Sequence, residues 1–206
     1  MKKGAIIFAV IAALVTGIFL WGKNAYNGFV TEKESVDKKW ADVEIQYQRR
    51  LDLIPNLVNT VKGYAEHEKS TFENVTRARA GLSDAYTQAV AMRDSVAANP
   101  GAERQFDAYN QAQADLNRAL SIYVNAVHEA YPDLKANTQF QDLQTQLEGT
   151  ENRIATYRGY YTESVQKYNV MVRRFPGNIW ASVFGFDALP QFKADEAAQH
   201  APTVEF

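Results

Sequence analysis

The chain has no cysteine among its 206 residues, which excludes disulfides, thiolate metal sites and cysteine nucleophiles while leaving the compartment open. An excess of either charge is missing too: 22 Lys and Arg against 24 Asp and Glu give a net value of -2, which argues against a general nucleic-acid partner. Only three histidines occur, His67, His128 and His200, and none lies in a Glu-x-x-His or His-Glu-x-x-His frame. The ligand spacings of a carboxylate-bridged di-iron bundle and of a zinc protease are therefore absent. His67, between Glu66 and Glu68, reads as a solvated polar turn rather than a weak metal site. No Gly-rich phosphate loop, G-x-S-x-G elbow or dinucleotide fingerprint is present, so no enzyme, cofactor or metal centre is expected. Proline and glycine are sparse. Pro100, Pro132 and Pro176 each follow a long periodic segment, where a residue without an N–H and with fixed φ ends a helix.

What is present is ordinary for a folded chain: 46% hydrophobic and 22% charged residues, with a length that fits one domain plus an appendage. The appendage is at the amino end. Gly4 to Gly22 carries no charge, lies between Lys2-Lys3 and Lys23, and at about 1.5 Å per residue is long enough to cross a hydrocarbon core. A cleaved signal peptide competes with this reading, but the run is long and Lys23-Asn24-Ala25 lacks the small-x-small cleavage pattern. Residues 1–22 are accordingly expected to be a transmembrane anchor. The positive charge at Lys2 and Lys3 favours an amino terminus inside and the bulk of the chain outside the cytoplasm, although Lys38 and Lys39 weaken the asymmetry. Ala5, Ala9, Ala13 and Gly17 recur every fourth residue and make a smooth strip. Such a strip fits an association face for another helix, and it also fits plain membrane-helix composition.

Residues 23–175 are expected to form an antiparallel bundle of four long helices. Val36, Trp40, Val43, Tyr47, Leu51, Ile54, Val58 and Val61 step by three and four, the spacing of one helical stripe. This first helix leads from the anchor without a break signal. A kink, or a restart capped by Asp52, is expected at Pro55, and closure at Gly63 and the polar stretch after it. Ser70 with Glu73 fits a capping box for a second helix carrying Phe72, Val75, Arg79, Leu82, Tyr86, Ala89 and Val96, stopped by Asn99-Pro100-Gly101. A third carries Phe106, Tyr109, Leu116, Leu120, Tyr123 and Val127 and stops at Tyr131-Pro132. The fourth runs from near Phe140 to Val172. Short connections make neighbours antiparallel.

Several blocks in one order, RRLDLIPNLVNTVKGYAEHE, AYPDLKANTQF, LEGTENRI, Tyr168-Asn169 and RFPGNIWASVFGF, resemble the LemA family over nearly the whole chain. The resemblance implies a single-pass bacterial membrane protein with an all-helical soluble domain, in a family without a well-defined biochemical activity. It sharpens the fold more than the function.

Three groups of residues are candidates for function. Arg50, Asp52, Arg79, Glu148 and Glu151 lie at a similar depth in the expected bundle, and a paired charge belt fixing helix register is one reading; solvent exposure is the other. Residues 176–206 begin with an aromatic segment: Trp180, Phe184 and Phe186 are expected at the level of Trp21, where the fourth helix returns to the bilayer. That segment either lies on the membrane, packs on a neighbouring subunit's stalk, or closes the end of its own bundle. The third group is the Ala5, Ala9, Ala13 and Gly17 strip. Together these point to a non-enzymatic, membrane-anchored scaffold or interaction protein of the cell envelope. Its expected partners are the lipid bilayer, further copies of itself and other proteins, and its place the bacterial cytoplasmic membrane. A ligand-sensing bundle is the alternative. With three residues inside, it would need a separate signalling partner.

Overall fold

The computed structural model describes residues 2–68, 72–98 and 103–192. The Ser70 cap, the Asn99-Pro100-Gly101 stop, the His67 side chain and His200 lie outside what it describes. Five α-helices and one short 3-10 helix account for almost all of it, and no strand occurs among the described residues. They are α1 (Lys2–Glu68), α2 (Glu73–Ala98), α3 (Glu103–Ala130), a 3-10 turn (Pro132–Ala136), α4 (Thr138–Arg173) and α5 (Gly177–Phe184). The chain is therefore all-α, with a long N-terminal apolar helix leading into a helical bundle.

Helix α1 is continuous over 67 residues, which excludes the restart alternative at Pro55 and corrects the closure expected at Gly63. Pro55 neither restarts the helix nor makes Asp52 a cap; its exposed ring forfeits one backbone bond, while Leu51, Leu53, Ile54 and Leu57 are buried on either side of it. Gly63 does not close the helix either. The cost of an interior glycine, about 1 kcal/mol, is small beside the burial of Val61. Later boundaries follow the local chemistry. Helix α3 stops one residue before Tyr131, Pro132 opens the 3-10 turn, and the Asn137 side chain accepts a hydrogen bond from the Phe140 N–H at 3.0 Å, capping α4.

The helices are divided between two compact units, to both of which α1 and α4 contribute. One comprises Met1–Trp40 with Tyr160–Leu189; the other comprises Ala41–Gly159 with the residues from Pro190. The second unit is the larger bundle. Its core is aliphatic, built on Leu51, Ile54, Leu57, Val61, Leu82, Leu116, Leu120 and Leu147 with Tyr123 and Phe140. A fully buried leucine such as Leu57 or Leu116 contributes on the order of 1.5–3 kcal/mol. Antiparallel pairing of α1 and α4 here is marked by Gln46 with Arg153 and Arg49 with Gln146. The first unit shows the same direction in its own contacts, Glu32 with Lys167 and Ser35 with Ser164. Its interior is more aromatic, with Phe29, Tyr161 and Tyr168 buried beside Val36, Val165 and Val172.

Candidate functional site

The larger unit holds one polar layer inside its apolar core. Stepping along α1 by four and three from Val43 reaches Tyr47, Arg50, Ile54 and Leu57, so Arg50 sits within the stripe and is only 2% exposed. Its guanidinium donates to Glu151 Oε1 of α4 at 2.5 Å, to the Gln113 carbonyl of α3 at 3.2 Å and to the Gln113 side-chain oxygen. The fork thus ties three helices at one level. Tyr47 lies beneath it, with the guanidinium carbon 5.4 Å from the ring centroid, and Tyr109 meets Tyr47 edge to face. Burial pushes the Tyr47 hydroxyl up, against the opposing pull of Arg158 and Arg50, and burial likewise raises Tyr109.

Of the five residues expected in a charge belt, the structure brings together only Arg50 and Glu151. Asp52, Arg79 and Glu148 are corrected to exposed positions. Asp52 and Glu148 each follow a buried leucine, Leu51 and Leu147, and one residue along a helix turns about 100° away from the core. Asp52 accepts instead from Gln48 at 2.7 Å. Arg79 falls at the edge of the α2 stripe, whose buried members are Val75, Leu82, Ala89 and Val96. Sequence reasoning missed Gln113 and Thr150. Both carried a readable signal, since Gln113 continues Phe106, Tyr109, Leu116 and Leu120 at three-four spacing, and Thr150 continues Leu143, Leu147 and Ile154. Thr150 is buried and donates to the Gln146 carbonyl, which satisfies its hydroxyl within α4.

The smaller unit contains the aromatic segment. Trp180 of α5 stacks edge-on to Trp21 of α1, with ring centroids 5.5 Å apart. This approach requires Gly22, where a Cβ would stand 2.9 Å from the Trp180 ring. Phe184 and Phe186 both meet Tyr26, and Phe186 also packs on buried Phe29. Gly185, at φ 72°, caps α5 in the left-handed conformation and turns the chain back. Asn169 of α4 then holds the returning strand: its amide donates to the Leu189 carbonyl and accepts from the Leu189 N–H, both at 2.8 Å. The segment therefore packs on α1 of its own chain. Phe184 keeps part of its ring exposed, and Phe175, Ile179 and Val183 stay open at 80%, 50% and 65%.

The apolar run of α1 is long and apolar enough to cross a membrane, and it is unburied. Ala5, Ala9, Ala13 and Gly17 are all exposed on it. Among the described residues no group of three or more His, Asp or Glu side chains is placed to hold a metal ion. A cleft of about 340 Å3 lies between α1 and α2, lined by Val58, Val61, Val75 and Tyr123, with Lys62 and Arg79 contributing charge.

Comparison with known proteins follows this architecture. The chain is 27% identical over 199 residues to magnetosome protein MamQ 2 of Paramagnetospirillum magneticum, covering 93% of this chain and 71% of that one. It is 26% identical over 196 residues to magnetosome protein MamQ of Magnetospirillum gryphiswaldense, covering 91% and 70%. The LemA family model matches residues 39–206, which takes in the polar layer, the Asn169 clamp and α5 alike, and the chain belongs to the LemA family.

Proposed function

We propose that this protein is a non-enzymatic, membrane-anchored helical scaffold or interaction protein of the bacterial cell envelope. Its anchor lies in the cytoplasmic membrane, its bundle stands outside the cytoplasm, and it assembles with further copies of itself. The observation that carries this reading is the state of α1: Ile6, Ile7, Phe8, Ile11, Leu14, Ile18 and Phe19 are all more than half exposed on a helix continuous with the bundle. So much bare apolar surface finds its solvent in hydrocarbon. Self-assembly is supported by the open strip of Ala5, Ala9, Ala13 and Gly17, where a second helix can approach closely. Light scattering of the detergent-extracted protein tests it. The expected mass is a multiple of the 23.2 kDa protomer, reduced in an Ala9→Leu/Ala13→Leu variant. A monomeric native protein overturns the scaffold.

A second reading, a bundle that binds a small ligand and signals through a separate partner, draws on the cleft between α1 and α2. Its apolar floor and the Lys62 and Arg79 charges suit an anionic amphiphile. Native mass spectrometry of the purified protein distinguishes the two readings. A retained small molecule that is lost with Arg79→Gln favours the second.

A further inference from the structure

The aromatic segment has two sides, and they do different things. Trp180, Phe184 and Phe186 turn toward α1, whereas Ile179 and Val183, one turn apart on α5, face outward with Phe175 just before the helix. Nothing among the described residues covers that outward face. Its level is fixed by its contacts along α1: Met171 lies against Gly28, α5 reaches Gly22 and Trp21 through Trp180, and the chain then climbs back to Tyr26 and Phe29 through Phe186. The hairpin from α4 into α5 thus has its lowest point beside Trp21, where the apolar run ends. Trp21 to Gly28 spans about 10 Å of helix, enough to cross a headgroup layer of about 5–7.5 Å on one side of a bilayer.

Charge at this level has one dominant sign. Across residues 21–31 and 170–189 the charged side chains are Lys23, Arg173, Arg174 and Asp187, three cations against one anion in a chain whose net charge is -2. Arg173 and Arg174 are exposed and immediately precede Phe175. We infer that Phe175, Ile179 and Val183, with Arg173 and Arg174 beside them, form a lipid-binding face that seats α5 in the headgroup layer of an anionic bilayer. The inference rests on the anchor reading and adds to it a second membrane contact, with its depth, its residues and its lipid class. Apolar side chains enter the acyl boundary while the guanidinium groups remain at the phosphates. Trp21 and Trp180 then act as a packed pair that sets the height of α5, rather than as the principal lipid contacts.

The absence of cysteine makes the test direct, because single labels can be placed on the full chain. Spin labels at Ile179→Cys, Val183→Cys, Ile11→Cys, Ile45→Cys and Ile122→Cys are compared in reconstituted bilayers for collision with oxygen and with a water-soluble nickel chelate. Ile45 and Ile122 are exposed positions of the other unit and report water; Ile11 reports the span. The expected result is preference for oxygen at 179 and 183, weaker than at 11 and opposite to 45 and 122. Labels at 179 and 183 that behave like 45 and 122 while 11 reports lipid overturn the inference and leave the anchor standing. A water signal at 11 overturns the anchor itself. Labels at 179 and 183 shielded from both reagents, and released when labelled protein is diluted with detergent, show a second copy on this face and also overturn it. Replacing phosphatidylcholine with a phosphatidylglycerol mixture should deepen the 179 label, and Arg173→Gln/Arg174→Gln should abolish that shift. No lipid dependence in the native chain overturns the anionic assignment.

Discussion

The two units draw on the same pair of helices yet are held together differently. In the larger one, α1 and α4 meet across a mainly aliphatic core interrupted by a polar layer at Arg50, and Tyr47, Leu51, Ile54 and Tyr109 around that layer are covered. In the smaller one they meet through Glu32 with Lys167 and Ser35 with Ser164, α5 adds aromatic edges against α1, Asn169 clamps the chain that follows, and Phe175, Ile179 and Val183 are left bare. A buried charge draws its partners from the protein, as Arg50 does from Glu151 and Gln113 although Arg50 Nε and Gln113 Nε2 find none, whereas an apolar face left open gains by meeting another apolar phase.

The largest effect expected on the comparison comes from Arg50→Ala, which removes the donor shared by Glu151 and Gln113. A loss of about 2–5 kcal/mol follows from the cavity left by a large buried side chain and from Gln113 acceptors left without a donor, while Glu151, 31% exposed, can turn to water; it is read as a fall in the denaturant midpoint of the larger unit. Glu151→Gln keeps a neutral acceptor but leaves the buried Arg50 guanidinium without its counter-ion, and should cost about 1.5–3 kcal/mol. Next comes Gly22→Val, whose side chain would collide with the Trp180 ring 2.9 Å from the new Cβ. Overpacking there should cost about 1–3 kcal/mol and raise hydrogen exchange in 177–189 while leaving the larger unit protected. That regional response is what distinguishes two separately stabilised units from one cooperative body.

Asn169→Ala should cost about 1–3 kcal/mol through two lost hydrogen bonds to Leu189, again in the smaller unit. High pH acts on both units. Burial raises Tyr47, Tyr109, Tyr161 and Tyr168 above the ordinary 10.0, and Tyr123 to about 12. A folded-state value above the unfolded one means that this stability is fully present below pH 10. Above it the unfolded chain loses protons that the folded chain keeps, so stability declines as pH rises from about 10 toward the folded values. The smallest effects belong to Asp52→Asn, Arg79→Gln and Glu148→Gln, all exposed, where changes within about 0.5 kcal/mol are expected in thermal melts.

Much of the fold was legible because three-four spacing, with Pro132 and Pro176 at helix ends, states helix type and order without help from packing. At Pro55 the spacing left a kink and a restart both open, and the absence of a restart depends on buried neighbours on both sides of the ring. At the polar layer, depth along the helices correctly brought Arg50 toward Glu151 but could not supply rotation. One residue of offset is about 100°, enough to send Asp52 and Glu148 to water while Arg50 stays inside. Gln113 was legible in principle, as a polar residue at an apolar position of α3. In the aromatic segment, composition revealed an unusual density of large apolar groups. It could not say that Trp180 and Phe186 turn inward while Ile179 and Val183 turn outward, because α5 is only eight residues long and carries large apolar groups on more than one side.

The most direct test of the central claim is fractionation of cells expressing the full chain, with membranes washed in alkaline carbonate and then extracted in detergent. The account predicts that the protein stays with the carbonate-washed membranes, enters solution only with detergent, and becomes extractable by carbonate when Ile11 and Leu14 are both changed to Lys. Release of the native chain by carbonate alone would contradict it.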